Sequence, residues 1–216
     1  MSVAFFDFDG TLTTHDTIWP FALFLSEAGR GHAGDRLRLA LSLLRLKLRF
    51  SSNHAFKQDY ARILLQGRDV KSIKALVERF HHERLTPLLN RQVRRALESH
   101  VVAGDAVYLV SSNFEFFLKP LEKPWGLSGV LATQAETADG LFTGRLSGRA
   151  CEGPEKLSRA IDCLGESSVR ASVAYGDSAG DKCLLGGVGT PVWVRKGYRF
   201  HPLDKDHFPN PAVHHL

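Results

Sequence analysis

A four-residue apolar run near the amino end, Val3–Phe6, stops abruptly at Asp7-Phe8-Asp9-Gly10-Thr11. Carboxylates are seldom buried without a partner, so a strand that breaks into two of them must be leaving a sheet for a polar crevice or for water. The same break recurs twice. Ala106–Val110 reads as a buried strand ending in Ser111-Ser112-Asn113, and Val169–Tyr175 runs into Gly176-Asp177, with Asp181 just beyond. Between the first and second breaks the periodicity is helical. Leu37, Leu41, Leu44 and Leu48 repeat at three-to-four spacing, as do Ile73, Leu76, Val77 and Phe80. Pro87 can open a further helix from Leu88 to His100, because a first-turn residue needs no amide hydrogen.

The rest of the chain alternates. Val130–Thr133 is a strand candidate. Asp139-Gly140 is the turn of a hairpin between Gln134–Thr137 and Leu141–Leu146. Lys156–Leu164 is helical, and Pro191–Val194 is the last strand signal. Strands alternating with helices specify a parallel sheet. The expected fold is α/β, a Rossmann-like parallel-sheet core with an inserted all-helical cap. Residues 1–13 form the first part of the core, 14–100 the cap, and 101–216 the second part of the core. The run 201–216, with three prolines and four histidines, is expected to wrap the surface irregularly.

Charge divides along the same line. Residues 14–100 hold 16 Lys and Arg against 8 Asp and Glu, whereas the whole chain carries +5, so the cap is basic and the core mildly acidic. Three cysteines without a CxxC pair fit a reducing, cytoplasmic setting better than a secreted disulfide framework. The first ten residues lack the pattern of a signal peptide, and no apolar run approaches the ~18 residues of a membrane span.

In a parallel α/β sheet the ligand crevice lies beyond the carboxyl ends of the strands. The clusters Asp7/Asp9/Thr11, Ser111/Ser112 and Asp177/Asp181 are therefore expected to converge. Each alone has a plainer reading, since Asp, Ser and Thr after a strand often cap the next helix; three together point to a site. Clustered acids invite a hard divalent cation such as Mg²⁺, which needs only one or two carboxylates beside water and phosphate oxygens. A carboxylate can attack a phosphoryl group, and a second acid two residues on can protonate the leaving alcohol. Ser111 and Lys156 offer donors to the phosphoryl oxygens. Rival motifs fail. Counted from Asp7, an EF-hand would need Gly and Glu where Leu12 and Ile18 stand. No Walker A loop is present, and Gly186-Gly187-Val188-Gly189 lacks dinucleotide spacing. The pairs His81-His82 and His214-His215 read as solvated rather than ligating.

Taken in order, FFDFDGTLT, VYLVSSN, the lysine of CEGPEK and AYGDSAGD resemble the four motifs of the haloacid-dehalogenase-like hydrolases, in the phosphoserine-phosphatase-like branch with a helical cap. The resemblance implies a phosphatase in which Asp7 is the nucleophile and Asp9 the general acid and base. Asp7, Asp177 and the backbone carbonyl of Asp9 would hold Mg²⁺, Ser111, Ser112, Lys156 and Thr11 would serve the phosphoryl group, and Asp181 would support the site. It further implies substrate contacts in the cap. Asp16 stands where the phosphoserine phosphatases have Glu, and Phe56 and Arg62 resemble their Phe and carboxylate-reading Arg with a spacing that differs by one.

The substrate is accordingly expected to be a small anionic phosphomonoester, phosphoserine-like or another phosphorylated metabolite. Two alternatives use the same residues: a phosphotransferase or mutase, and a phospholipid-headgroup phosphatase at the membrane surface. The second draws on Arg36–Phe50, where Leu37, Leu41, Leu44 and Leu48 form one stripe beside a second of Leu39, Leu43, Leu46 and Phe50, with Arg38, Arg45 and Arg49 to one side. The favoured reading is a cap helix buried between neighbours, its arginine stems covering its flanks; the alternative is peripheral contact with an anionic membrane. Leucines interleaved with the basic residues give no stacking platform for bases, so nucleic acid is not an expected partner. Oligomeric state is not legible.

Overall fold

A computed structural model of the chain describes residues 2–28, 33–48, 50–194 and 200–202. Its centre is a sheet in the order β3-β2-β1-β6-β7-β8, built from β1 (Val3–Phe6), β2 (Ala106–Phe114), β3 (Gly129–Thr133), β6 (Val173–Gly176), β7 (Thr190–Val194) and β8 (Phe200–Pro202). All pairings are parallel except β7 with β8. The core is thus the expected α/β, Rossmann-like sheet. β1 lies between β2 and β6, with Phe6 opposite Leu109 on one side and Tyr175 on the other. Ala4, Phe5 and Phe6 are fully buried, which is why the strand reads as an unbroken apolar run.

Helices α1 (Ile18–Glu27), α2 (Ala33–Lys47), α3 (Asn53–Tyr60), α4 (Val70–Phe80) and α5 (Arg91–Val102) fill the segment between β1 and β2. Ser52 and Asp69 cap α3 and α4 by accepting from the amides of Ala55 and Ser72. Ile73, Val77 and Phe80 make the buried stripe of α4, as their spacing predicts. Short helices α6 (Glu115–Leu118) and α7 (Glu122–Trp125) follow β2. The hairpin β4 (Ala135–Ala138) and β5 (Leu141–Leu146) precedes α8 (Pro154–Leu164) and α9 (Glu166–Arg170), and α10 (Lys182–Gly187) lies between β6 and β7.

Several boundaries differ from the sequence expectation. Pro87 sits in a 3₁₀ turn, Thr86–Leu88, and α5 starts after Asn90, whose side chain accepts from the amides of Gln92 and Val93. Val169 belongs to α9 rather than to β6, and β2 continues through Ser111 to Phe114. The division at residue 100 does not follow the packing either. α5 lies against β1 and β2. The hairpin docks on the inserted helices instead of the sheet: Gly67 and Val70 donate their amides to Phe142 and Gly140, and Gln58 Nε2 donates to Gly144. Hydrogen bonds across chain-distant segments leave no signal in local periodicity.

An aromatic cluster joins the insertion to the core. Phe8 beyond β1, Phe21 of α1, Phe80 of α4 and Phe117 of α6 meet at ring separations of 5.0–6.3 Å. His81 is part of this cluster, edge-on to Phe117 at 4.8 Å, and its buried Nε2 has no hydrogen-bond partner among the described residues; His82 is exposed. The reading of both rings as solvated therefore fails for His81. Arg49, His214, His215 and residues 203–216 of the terminal run lie outside the described residues, whereas His201 and Pro202 end β8.

Burial pushes the His81 ring from 6.5 down to about 4. As pH falls through that window the unfolded chain takes up the proton first, so stability is lost toward acid. His81→Phe should abolish this component, about 3 kcal/mol near pH 4. The check is the difference between variant and wild-type urea midpoints at neutral pH and at acid pH.

Candidate active site

The parallel register brings the ends of β1, β2 and β6 to one edge of the sheet. The Asp7 amide donates to the Tyr175 carbonyl at 2.9 Å, carrying the β1–β6 ladder one residue past Phe6. The chain then turns tightly through Phe8–Leu12, with Gly10 at φ +87° packed against the Asp177 carboxylate. Any side chain at Gly10 would be strained in backbone and would collide with that carboxylate.

Lys156, in the first turns of α8, is the hub. Its Nζ donates to Asp7 Oδ1 at 2.7 Å and to Asp181 Oδ1 at 2.5 Å, with all three groups buried. Thr11 Oγ1 donates to Asp177 Oδ1 at 2.9 Å and stands 3.5 Å from Asp7 Oδ2. Asp181 Oδ2 accepts from the amides of Asp177 and Ser178 and from the Ser178 hydroxyl. Ser111, 1% exposed within β2, accepts from the Asn113 amide. The Ser112 carbonyl accepts from Thr133 Oγ1 at 2.8 Å, tying β2 to β3, and its side chain has no hydrogen bond to a described residue.

Asp9 turns the other way, toward the inserted helices. Its Oδ1 accepts from the amide and hydroxyl of Thr17 at 2.8 and 2.7 Å, and its Oδ2 from Asn113 Nδ2 at 2.8 Å. Asn113 Nδ2 also reaches Thr17 Oγ1. Asp16 is exposed beside this group and caps α1 by accepting from the Ile18 amide.

Electrostatics separate the two acids of the first loop from ordinary carboxylates. Burial, then the neighbouring Asp181, pushes Asp7 up to about 8 against the pull of Lys156. Burial, then Asp16, lifts Asp9 to about 7, and burial lifts Asp177 to about 6 despite the Thr11 hydroxyl. Burial alone would lower the Lys156 ammonium, but Asp7 and Asp181 outweigh it and hold it above its usual range. One further cation therefore suits the cluster. Oxygens of Asp7, Asp177 and Asp181 lie within 4.8 Å of one another, and an all-oxygen donor set fits a hard divalent ion. Both Asp181 oxygens accept from the protein, Oδ2 from three donors, while Asp7 Oδ1 accepts from Lys156 and Asp177 Oδ1 from Thr11.

Three buried polar residues in or beside this site escaped sequence reasoning. Thr17 and Asn113 hold Asp9. Lys57, 3% exposed on α3, makes no hydrogen bond to a described residue; its ammonium lies 5.7 Å from the centre of the Phe114 ring. Burial lowers its pKa although Asp16, Asp9, Glu152 and Asp7 all oppose that shift. The cap residues proposed from the resemblance fare differently. Phe56 is buried in the hydrophobic core. Arg62 is directed elsewhere: its guanidinium is 65% exposed and pairs with Asp59 at 2.9 Å, because the turn Ala61–Leu65 that follows α3 buries Ala61, Leu64 and Leu65 and leaves Arg62 outside. A lysine next to a phenylalanine carries no local mark that tells it from a solvated one.

The chain is similar to known proteins. The chain is 29% identical over 217 residues to the protein named phosphoserine phosphatase SerB1 of Mycobacterium tuberculosis, covering 95% of this chain and 68% of that one. It is 28% identical to a protein of Neisseria meningitidis named histidinol-phosphatase, covering 89% and 90%. A crystal structure of a Bordetella pertussis protein of unknown function superposes with a TM-score of 0.78 at 28% identity, over 88% of each chain. The family profile described as haloacid dehalogenase-like hydrolase matches residues 4–186, the span that carries every strand-end cluster described above. The chain belongs to the haloacid dehalogenase-like hydrolase family.

Proposed function

We propose that this hydrolase is a Mg²⁺-dependent phosphomonoesterase that works through a phosphorylated Asp7. The observation that carries the reading is the contrast between two carboxylates two residues apart. Asp7 accepts from Lys156 among acids, while Asp9 accepts from Thr17 and Asn113 on the side of the inserted helices; both stand above the usual carboxylate range, Asp7 at about 8 and Asp9 at about 7, so the contrast lies in their partners. That difference supports a nucleophile's role for Asp7 and a proton carrier's role near neutral pH for Asp9.

In this mechanism an Asp7 carboxylate oxygen attacks phosphorus, and the bond from phosphorus to the ester oxygen breaks. Asp9 gives its proton to the departing alkoxide. The deprotonated Asp9 then takes a proton from water as that water attacks phosphorus, and the bond to Asp7 breaks to release inorganic phosphate. Lys156 and the Ser111 hydroxyl face the phosphoryl oxygens. Asp7, Asp177 and the Asp9 carbonyl would hold Mg²⁺, which when bound offsets the clustered negative charge and favours the ionised form of Asp7. Asp181 and Thr11 act through their neighbours: Asp181 fixes Lys156 and the Asp177 backbone, and Thr11 orients Asp177.

For the substrate, the relevant pair is exposed Asp16 and buried Lys57 on the cap side of Asp9. Opposite charges there suit a small phosphate ester that carries both an ammonium and a carboxylate, as phosphoserine does. An amino-alcohol phosphate such as histidinol phosphate would use Asp16 alone. The names of the two relatives span the same two classes.

Asp7→Asn should reduce hydrolysis of an aryl phosphate to background, a loss of roughly 10⁴ or more; full activity in that variant contradicts the reading. Asp9→Asn should slow turnover by about 10²–10⁴ while still allowing the enzyme to become phosphorylated. Chelation of divalent ions should abolish turnover, with Mg²⁺ restoring it. Lys57→Met should raise KM for phosphoserine about tenfold with kcat little changed and leave KM for histidinol phosphate unaltered. Equal effects on both substrates would exclude Lys57 as the carboxylate contact.

A further inference from the structure

The expectation that α2 is buried between neighbours holds for one side only. Leu39 is 1% exposed, Leu43 and Leu46 pack half-buried against the core, and buried Ser42 donates to Asp59 at 2.7 Å. The other side has no cover among the described residues: Leu37, Leu41, Leu44 and Leu48 are 64, 51, 51 and 56% exposed, and Phe50 just past the helix is 80% exposed. Among the described residues only Val102 and Leu141 are other large apolar side chains with comparable exposure, so the apolar surface is concentrated on this one element.

The basic residues are arranged around that stripe. At about 100° per residue the four leucines fall in one row, Arg38 and Arg45 lie roughly 90° to one side, and Arg36 and Lys47 about as far to the other. All four cations are exposed. Arg38 reaches Asp35 only at 3.8 Å, and Arg45 has no ion pair among the described residues. Arg38 and Arg45 also line a groove of about 440 Å³ with Arg62, backed by Asp35 and Asp59. A leucine row between two cationic rows is the arrangement of a helix lying in a membrane interface, apolar side down and charges at headgroup level.

We infer that α2 seats the protein on an anionic lipid surface. Charge selects the occupant. The segment 14–100 carries twice as many basic as acidic residues, and a second copy placed on the stripe would set the cationic rows of one helix against those of the other. An anionic bilayer satisfies both the leucines and their flanks. No helix among the described residues is long and apolar enough to cross a membrane, so the contact is peripheral. It is independent of the catalytic reading.

The test is sedimentation of the full chain with vesicles of mixed phosphatidylglycerol and phosphatidylcholine, and with phosphatidylcholine alone. The wild type should pellet with the anionic vesicles, remain in solution with the neutral ones, and be released by high salt. Leu41→Glu combined with Leu44→Glu should lower the bound fraction at least about tenfold, and Arg38→Gln with Arg45→Gln should remove the preference for anionic lipid. Circular dichroism and aryl-phosphate turnover verify that the variants remain folded. Failure to pellet, or equal pelleting with both vesicle types, overturns the proposal. So does a wild-type dimer in sedimentation velocity that the leucine variant converts to monomer, since the face would then be covered by a second copy.

Discussion

The ammonium of Lys156, lodged between Asp7 and Asp181 at 2.7 and 2.5 Å, is the interaction on which the rest of the site depends. Buried carboxylates this close repel each other, and the cation between them offsets that repulsion. The bridge also works mechanically. It ties the end of β1 to α8, and Asp181 in turn organises the turn after β6 through the amides of Asp177 and Ser178. Three chain-distant segments thus become one rigid acidic edge. Even so, Asp7 and Asp177 remain above the usual carboxylate range, which explains why a fold with this much internal compensation still suits a hard divalent cation.

A second constraint links Asp9 to the inserted helices. Asp9 is gripped by Thr17, immediately before α1, and by Asn113 at the end of β2. Its environment therefore depends on how α1 sits on the sheet, and α1 is set by the contacts of Phe21 with Phe80 and Phe117. The aromatic joint between insertion and core thus helps to seat α1, the helix that follows Thr17.

Much of this was legible in the sequence, for a definable reason. The strands around the site are short, apolar and broken by polar clusters, so both their existence and their common edge followed from pattern and topology. Asp7, Thr11, Lys156, Asp177 and Asp181 lie together, while Asp9 is held by Thr17 and Asn113, and Ser111 accepts from the Asn113 amide. Whatever depends on contacts between distant segments was not legible. Thr17 and Asn113 look like ordinary capping and turn residues until Asp9 is seen between them. Lys57 and Arg62 lie five positions apart and look alike in the sequence, yet only the fold reveals that Lys57 is buried and Arg62 exposed. The hairpin β4–β5 carried the correct turn, Asp139-Gly140, but nothing local indicated that it docks on the helices. The leucine-rich helix misled in the opposite direction, because two adjacent apolar stripes look like a buried helix whether or not a neighbour covers both.

The most direct measurement of the central claim is chemical identification of the residue that carries the phosphoryl group. Enzyme quenched during turnover and treated with borohydride has any acyl phosphate reduced to the corresponding alcohol, so a phosphorylated aspartate is converted to homoserine. Peptide mass spectrometry should find homoserine at position 7 alone. Homoserine at another aspartate, or none while turnover proceeds, would contradict the account.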